Sequence, residues 1–261
     1  MRTGSLFTRL ILLLAISGTQ PAAGEPPPTL AAAANLRLVL PVLADHFQAR
    51  TGQAVRLSFG SSGNLKRQIT QGAPFELFLS ADEDYVLDLA REGYGQNTGV
   101  VYAVGQLALL VPNGSPLNPE DSLSDLDTAL NDGRLERLAI ANPEHAPYGR
   151  RAREVLQRLG LWERMGAHLV YGENVSQAAQ FALSGNAQAG IVARSLVVSP
   201  RIASQTRSQA VPTSWHQPLR QRMLLLNNAG DTARRFYHFL QSSAARNTLN
   251  GFGFLPPGQE D

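Results

Sequence analysis

The chain has 261 residues, with 23 Lys and Arg, 21 Asp and Glu, and no cysteine. The absence of cysteine excludes disulfides, a thiol nucleophile and a thiolate metal site. The small net charge of +2 gives no reason to expect nucleic acid or an acidic membrane surface as a partner. Stability must come from a hydrophobic core, and this length allows one large domain or two of ordinary size.

The first 24 residues have the pattern of a secretory signal peptide. Arg2 and Arg9 form a basic start, residues 10–16 are apolar but too few to span a bilayer, and residues 22–24 are small, as at a cleavage site before Glu25. No cysteine is available there for a lipid anchor. Without Arg2 and Arg9 the mature chain carries 21 basic and 21 acidic residues. We therefore expect an exported, soluble protein with a formal charge of zero.

The first half of the mature chain alternates between strand and helix patterns after a proline-rich leader. Strands are predicted at 29–34, 54–59 and 75–79, and helices at 36–50, 65–71 and from the cap at 80–83 to residue 92. A long apolar run follows at 100–111, and Pro112 breaks it.

The second half continues the alternation. Helices are predicted at 122–130, 149–159, 175–184, 232–240 and 243–249, and strands at 138–141, 168–171, 187–192 and 222–227. This order predicts an α/β protein with mainly parallel sheets flanked by helices. The interruption near 100–116 indicates a crossing into a second α/β unit, with a return near 212–222. We expect one lobe at 25–104 plus 215–261 and a second at 105–214.

Two short turns carry most of the functional information. Gly60-Ser61-Ser62-Gly63 and residues 142–149, Asn-Pro-Glu-His-Ala-Pro-Tyr-Gly, each follow a strand-like run and open a helical pattern. Such turns leave backbone N–H groups unpaired, and those groups can hold an anion without a cationic side chain. Asn35 and Asn174-Val175 stand in the same strand-to-helix context. An ordinary helix cap remains the alternative for each turn alone.

The search for enzyme motifs is mostly negative. The chain contains no Gly-x-Ser-x-Gly and no phosphate-binding Gly-x-x-x-x-Gly-Lys-Ser/Thr, and its five histidines show no metal-ligand spacing. A secreted hydrolase that uses Ser62 and His145 stays open as a distant alternative. It requires these two side chains within hydrogen-bond reach.

The ordered set of segments resembles the periplasmic molybdate-binding proteins of ABC transporters over essentially the whole mature chain. The matching segments are Ala32–Asn35, Phe59–Gly63, Gly72–Pro74 with Leu77–Asp82, Asn142–Gly149, Glu173–Val175 and Gly190–Val192. The resemblance implies a two-lobed, hinged periplasmic-binding-protein fold of type II. It also implies a periplasmic monomer without cofactor or catalysis, which captures molybdate or tungstate and delivers it to a membrane permease.

The resemblance also implies a ligand set. Asn35 and Ser62 would donate from the first lobe through side chains and backbone N–H groups, and Tyr148 and Val175 mainly through backbone N–H groups of the second. Ala34 and Ala193 stand where many family members place a hydroxyl donor, although the Tyr148 hydroxyl could replace one of them. These losses leave sulfate, phosphate or another small oxyanion as the alternative ligand.

Overall fold

The computed structural model describes residues 26–117, 123 and 125–259. The predicted signal peptide, residues 1–24, and the start of the helix predicted from Ser122 lie outside them. Within this part no helix is long and apolar enough to cross a membrane.

The strands are β1 Thr29–Ala33, β2 Arg56–Gly60, β3 Leu77–Leu79, β4 Val100–Gly105, β5 Leu107–Pro112, β6 Leu138–Ala141, β7 Leu169–Gly172, β8 Ala189–Ala193, β9 Thr206–Ala210 and β10 Leu219–Leu225. The α-helices are α1 Val39–Thr51, α2 Ser62–Thr70, α3 Glu83–Arg91, α4 Asp125–Asn131, α5 Pro147–Arg158, α6 Val175–Leu183, α7 Arg194–Val197, α8 Pro200–Ala203, α9 Asp231–Leu240 and α10 Ser243–Gly251. Short 3-10 helices cover Ala34–Leu36, Gly166–His168 and Thr213–Trp215.

The strands form two five-stranded sheets with the same layout. The first has the order β2-β1-β3-β10-β4 and the second β7-β6-β8-β5-β9. In the first, β10 is antiparallel to both neighbours, and in the second β5 is. Four of five strands in each sheet therefore run the same way, which confirms the predicted two-lobed α/β fold with mainly parallel sheets.

The crossing between the sheets occurs inside the predicted apolar run. β4 ends at Gly105 in the first sheet, and β5 begins at Leu107 in the second. Between them Gln106 accepts hydrogen bonds from the Arg194 backbone N–H (2.9 Å) and side chain (3.1 Å). The chain returns between β9 and β10. The strand assignment is compatible with the lobe boundaries given above, which stay a prediction.

Each lobe has an apolar core between its sheet and its helices. In the second lobe Leu107, Ile140 and Ile191 are fully buried on adjacent strands. In the first lobe Phe47 packs edge-on against Phe236, with ring centroids 5.1 Å apart, and so joins α1 to α9. These cores hold the carboxyl ends of the parallel strands of both sheets in fixed positions.

Four features differ from the sequence prediction. Strand β9 was not predicted, because it is an exposed, polar edge strand that pairs only with β5. Helices α7 and α8 were not predicted, because four residues are too few to show a helical period. Asn35 was expected to cap the first helix, yet it lies inside the 3-10 helix, and α1 begins only at Val39.

Candidate functional site

A small cavity lies between the two lobes, at the carboxyl ends of β1 and β2 and at the starts of α5 and α6. The space that protein atoms leave empty here amounts to about 190 Å³, part of which is open to solvent. The lining residues are Ala33, Ala34, Asn35, Gly60, Ser61, Ser62, Ala81, Ala146, Pro147, Tyr148, Asn174 and Val175. None of these twelve described residues carries a formal charge. The four predicted ligand residues all lie here, and their role as ligands stays a prediction.

Three helices begin with residues that line this cavity. Ser62 is the first residue of α2 and Val175 the first of α6. Tyr148 is the second residue of α5, after Pro147, which has no N–H to offer. The first N–H groups of a helix have no acceptor within the helix and carry its partial positive charge. The cavity is therefore suited to an anion although it contains no cation.

Local sequence explains how these helices begin. Asn174 caps α6, and its Oδ1 accepts hydrogen bonds from the N–H groups of Ser176 and Gln177, both at 3.1 Å. At α5, Gly149 allows the close approach of helix and strand, because a Cβ there would lie 2.1 Å from the backbone oxygen of Ala141. The sequence thus places both helix starts tightly against the carboxyl ends of β6 and β7.

Ser61 and Ser62 have different partners, which bears on the Ser62–His145 pair of the hydrolase alternative. The Ser62 side chain is fully buried, and its Oγ accepts a hydrogen bond from the Ala81 N–H at 3.0 Å, so its hydroxyl hydrogen stays free to donate. His145 Nδ1 instead contacts Ser61 Oγ at 2.9 Å. The Ser62–His145 pair that a hydrolase would require is therefore not formed in this structure.

Asn35 does not act as a helix cap; its side chain joins a buried polar group. Its Nδ2 donates to Gln221 Oε1 at 3.0 Å, and Tyr102 donates to the same oxygen at 3.0 Å. Gln221 Nε2 donates to the Tyr148 hydroxyl oxygen at 3.2 Å. Burial raises the pKa of the Tyr148 hydroxyl far above its ordinary value, against smaller opposing effects of hydrogen bonds with Gln221 and Asn35. Tyr148 is therefore neutral and can donate its proton in a hydrogen bond.

Direct hydrogen bonds across the cavity join the lobes. Ser176 Oγ donates to the Ala34 carbonyl and Ser195 Oγ to the Asn35 carbonyl, both at 2.8 Å. The N–H of Gly63 donates to the His145 carbonyl at 3.0 Å. These bonds run between α6 or α7 and the 3-10 helix that follows β1, and between α2 and the turn before α5. The structure therefore shows the lobes closed around the cavity.

Charged residues surround the cavity at a distance and form what we call the interlobe rim: Asp82, Arg150, Arg151 and Glu154. Asp82, whose side chain is 6% exposed, accepts hydrogen bonds from Arg150 Nη2 at 3.0 Å and Arg151 Nη2 at 3.4 Å. Arg151 Nη1 also pairs with Glu154. Since Asp82 caps α3 and the arginines belong to α5, the rim ties the two lobes together by ion pairs.

The two alanines that replace hydroxyl donors occupy different places. Ala34 lines the cavity. Ala193 is the last residue of β8, pairs with Leu107 and is fully buried, but it is not among the lining residues. Of these two alanines, therefore, only Ala34 stands at the cavity, as Tyr148 does.

Sequence analysis missed two residues of the site, Gln221 and Gly105. A Cβ on Gly105 would lie 2.3 Å from the Tyr148 hydroxyl oxygen and 2.6 Å from Gln221 Nε2, so only glycine leaves room for this contact. Gln221 could have been found from the alternation Leu219, Gln221, Met223, which puts an amide on the buried face of a strand.

No group of His, Asp and Glu that could hold a metal ion occurs in the part of the chain that the structure describes. His145 Nε2 lies 3.6 Å from Glu173 Oε2, and this pair lies on the second-lobe side of the Ser61 contact. The chemistry that the cavity offers is hydrogen-bond donation to a compact oxyanion.

Comparisons with known proteins agree with this geometry. Residues 28–255 match the model of a family described as bacterial extracellular solute-binding protein. The molybdate-binding protein ModA of Rhodobacter capsulatus is 36% identical over 98% of this chain and 96% of its own. ModA of Azotobacter vinelandii is 34% identical over 95% of this chain and 97% of its own.

Solved structures show the same fold. The periplasmic molybdate-binding protein of Azotobacter vinelandii superposes with a TM-score of 0.80 at 28% identity, over 88% of this chain and 99% of its own. The sulfate-binding protein of Mycobacterium tuberculosis reaches a TM-score of 0.73 at 15% identity, over 89% of this chain and 88% of its own. The second likeness concerns the fold alone.

Proposed function

The chain belongs to the bacterial extracellular solute-binding protein family, together with the ModA molybdate-binding proteins, and from this we propose that it is a periplasmic carrier of molybdate or tungstate. It has their two-lobed type II periplasmic-binding-protein fold. The observation that carries the proposal is the uncharged interlobe cavity, at which three helix N-termini and the side chains of Asn35, Ser62 and Tyr148 meet.

The proposed binding mode relies on neutral donors. A doubly negative oxyanion loses its hydration shell in a buried site, and this loss must be offset by hydrogen bonds to the charged oxygens. Such bonds contribute about 1.5–3 kcal/mol each. In our proposal the ion accepts hydrogen bonds from the backbone N–H groups of Ser62, Tyr148 and Val175. It also accepts hydrogen bonds from the side chains of Asn35, Ser62 and Tyr148. The helix N-termini add the attraction of their dipoles.

Closure follows from this donor arrangement. Asn35 and Ser62 belong to the first lobe, and Tyr148 and Val175 to the second, so an ion that contacts both sets favours the closed conformation. The bonds from Ser176 and Ser195 to the backbone at Ala34 and Asn35 then form beside the ion. We propose that the closed form is the one delivered to an ABC transporter permease, and that the protein itself catalyses no reaction.

The ligand is proposed as molybdate or tungstate rather than sulfate or phosphate. All four are tetrahedral oxyanions, so the cavity must select by size and by protonation state. Phosphate carries a proton at neutral pH and needs an acceptor, whereas ionised Asp or Glu is absent from the cavity lining. Molybdate and tungstate are nearly equal in size and should bind alike.

The test is isothermal titration of residues 25–261 with molybdate, tungstate, sulfate and phosphate. We expect one-to-one binding of the first two, with sulfate at least about 100-fold weaker, which corresponds to about 2.7 kcal/mol. Exclusive binding of sulfate or phosphate would overturn the ligand assignment and leave the carrier function. Turnover of ester or phosphate substrates that is lost in Ser62→Ala would overturn the proposal that the protein is not an enzyme.

A further inference from the structure

Gln221 is a buried amide that lies behind the cavity rather than in it. It is fully buried in β10, and it is not one of the residues that line the cavity. Its side chain nevertheless contacts Asn35 and Tyr148, which belong to opposite lobes and both line the cavity. A buried glutamine costs free energy unless its amide is hydrogen-bonded, and here both ends of the amide are.

The backbone around Gln221 is shaped to admit this contact. The pairing of β10 with β4 shifts register between Gln221 and Arg222, so the strand carries an irregularity where the glutamine side chain leaves the sheet. Gly105, at the end of β4, provides the space, since a Cβ there would collide with both the Tyr148 hydroxyl and Gln221 Nε2. Two neighbouring strands thus accommodate a single amide beside the oxyanion cavity.

The two ends of the amide impose different roles on their partners. Gln221 Nε2 donates to the Tyr148 hydroxyl oxygen, so the Tyr148 hydrogen must be directed to another acceptor. Gln221 Oε1 takes one hydrogen of Asn35 Nδ2, and the Asn35 side chain is also within hydrogen-bond reach of the Tyr148 hydroxyl. The Oδ1 of Asn35 is buried without a partner among the described residues, so the contacts of its Nδ2 end with Gln221 and Tyr148 orient this amide.

We propose that Gln221 is a positioning residue of the oxyanion site, which sets Asn35 and Tyr148 as donors towards the ion. This inference rests on the proposed function, because it needs an oxyanion in the cavity. An amide is suited to the task since it accepts at one end and donates at the other. A carboxylate at residue 221 would accept at both ends, draw the Tyr148 hydrogen away from the ion and place a negative charge near it.

The test compares Gln221→Met and Gln221→Glu with wild type by titration calorimetry with molybdate. Gln221→Met removes the hydrogen bonds with Asn35, Tyr102 and Tyr148 at similar volume, and we expect affinity to fall by about tenfold or more, as when partners behind a ligand are lost. Gln48→Glu, on the exposed face of α1, adds the same charge far from the cavity and should bind as wild type does. The melting temperature of each variant without ligand reports whether folding is affected.

Gln221→Glu supplies the readout that a purely structural role would not change. Protonation restores the wild-type pattern, because a carboxylic acid donates at one oxygen and accepts at the other. The titratable groups that face residue 221 are the Tyr102 and Tyr148 hydroxyls, while Arg220 and Arg222 of the same strand pair with Glu83. We therefore expect molybdate binding by this variant to take up a proton and to strengthen as the pH falls from 8 to 6.

The outcomes separate the inference from the proposed function. If wild type binds molybdate and both Gln221 variants bind it equally well without proton uptake, the inference is wrong and the carrier function stands. If wild type binds no oxyanion, the proposed function is wrong and the inference falls with it. Should Gln221→Glu fail to fold, Gln221→Met combined with Tyr148→Phe decides, since a positioning role requires that the two losses be less than additive.

Discussion

The interlobe cleft combines two regions that differ in chemistry, the uncharged cavity and the charged rim. In the cavity every polar group is a neutral donor or acceptor held by a helix start or by Gln221. At the rim Asp82 is paired with Arg150 and Arg151, which belong to the helix that also carries Tyr148. Neutral donors recognise by direction and distance, whereas ion pairs act over a longer range and weaken with salt. The comparison indicates that the cavity selects the ion and the rim contributes to closure.

The largest loss of binding should follow a change that disturbs the cavity from behind. In Gly105→Ala the new Cβ meets the Tyr148 hydroxyl at 2.3 Å and Gln221 Nε2 at 2.6 Å, so Tyr148 must shift. Overpacking of this kind costs about 1–3 kcal/mol, and we expect molybdate affinity to fall by up to about 100-fold in titration calorimetry. Gly166→Ala is the matched control, because a Cβ there meets nothing within 4 Å. Equal binding by both variants would contradict the importance of the Tyr148 position.

Substitutions of two adjacent serines compare the contribution of the cavity to binding with that of a contact between the lobes. Ser62→Ala removes a donor to the ion and leaves the Ala81 N–H without its acceptor, so affinity should fall by about tenfold or more. Ser61→Ala removes the contact with His145 and should cost about threefold or less, since that contact is partly exposed. The same titrations measure both. A larger loss in Ser61→Ala than in Ser62→Ala would mean that His145, and not the helix start, dominates the site.

The rim should respond to salt, unlike the cavity. Asp82→Asn keeps an N-cap for α3 but removes the carboxylate between two arginines, and we expect about fivefold faster release of molybdate at low salt. In about 1 M salt the difference between wild type and variant should narrow, chiefly because the more exposed Arg150 pair is screened, while the buried Arg151 pair is screened much less. Stopped-flow dissociation across a salt series measures this. Asp45→Asn, on the exposed face of α1, is the control. A salt-independent difference would assign Asp82 to recognition instead of closure.

The smallest effect concerns pH and again separates the two regions. Burial lowers the pKa of His216 from its ordinary value of 6.5, against smaller opposing effects of the Gln217 carbonyl and Glu154. The unfolded chain therefore takes up this proton first as the pH falls below about 6.5, and the folded state loses stability, on the order of 1 kcal/mol or less. In His216→Asn the melting temperature should therefore depend less on pH between pH 7 and 5 than it does in wild type.

The molybdate affinity of wild type should stay constant from pH 7 to 9, since burial keeps Tyr148 protonated there.

Much of the fold could be predicted from local pattern. Strand β6 was predicted with its observed bounds, Leu138–Ala141, and the N-cap of α3, Asp82, lies within the predicted cap segment 80–83. The turn at residues 60–63 was predicted to open a helix, although α2 starts at Ser62 and thus earlier than the predicted 65. Apolar periodicity and capping residues are local properties, which is why they are readable in sequence.

The site was predictable only in part. Asn35, Ser62, Tyr148 and Val175 were selected by resemblance, and the structure brings all four to one cavity. Asn35 was also placed at the N-cap position of the first helix, which is wrong, because its side chain bonds to Gln221, 186 residues away in sequence. The pairing of Ser61 rather than Ser62 with His145 likewise depends on how the lobes close.

The sequence by itself determined the order of strands and helices, the break into two α/β units and the small-residue turns that leave helix N–H groups free. These features depend on residues near one another in the chain. Only the tertiary structure decided which turns face each other, which serine contacts His145, and that Gln221 and Gly105 stand behind the cavity. These depend on the closing of two lobes built from distant segments, where side chains compete for partners that local pattern does not reveal.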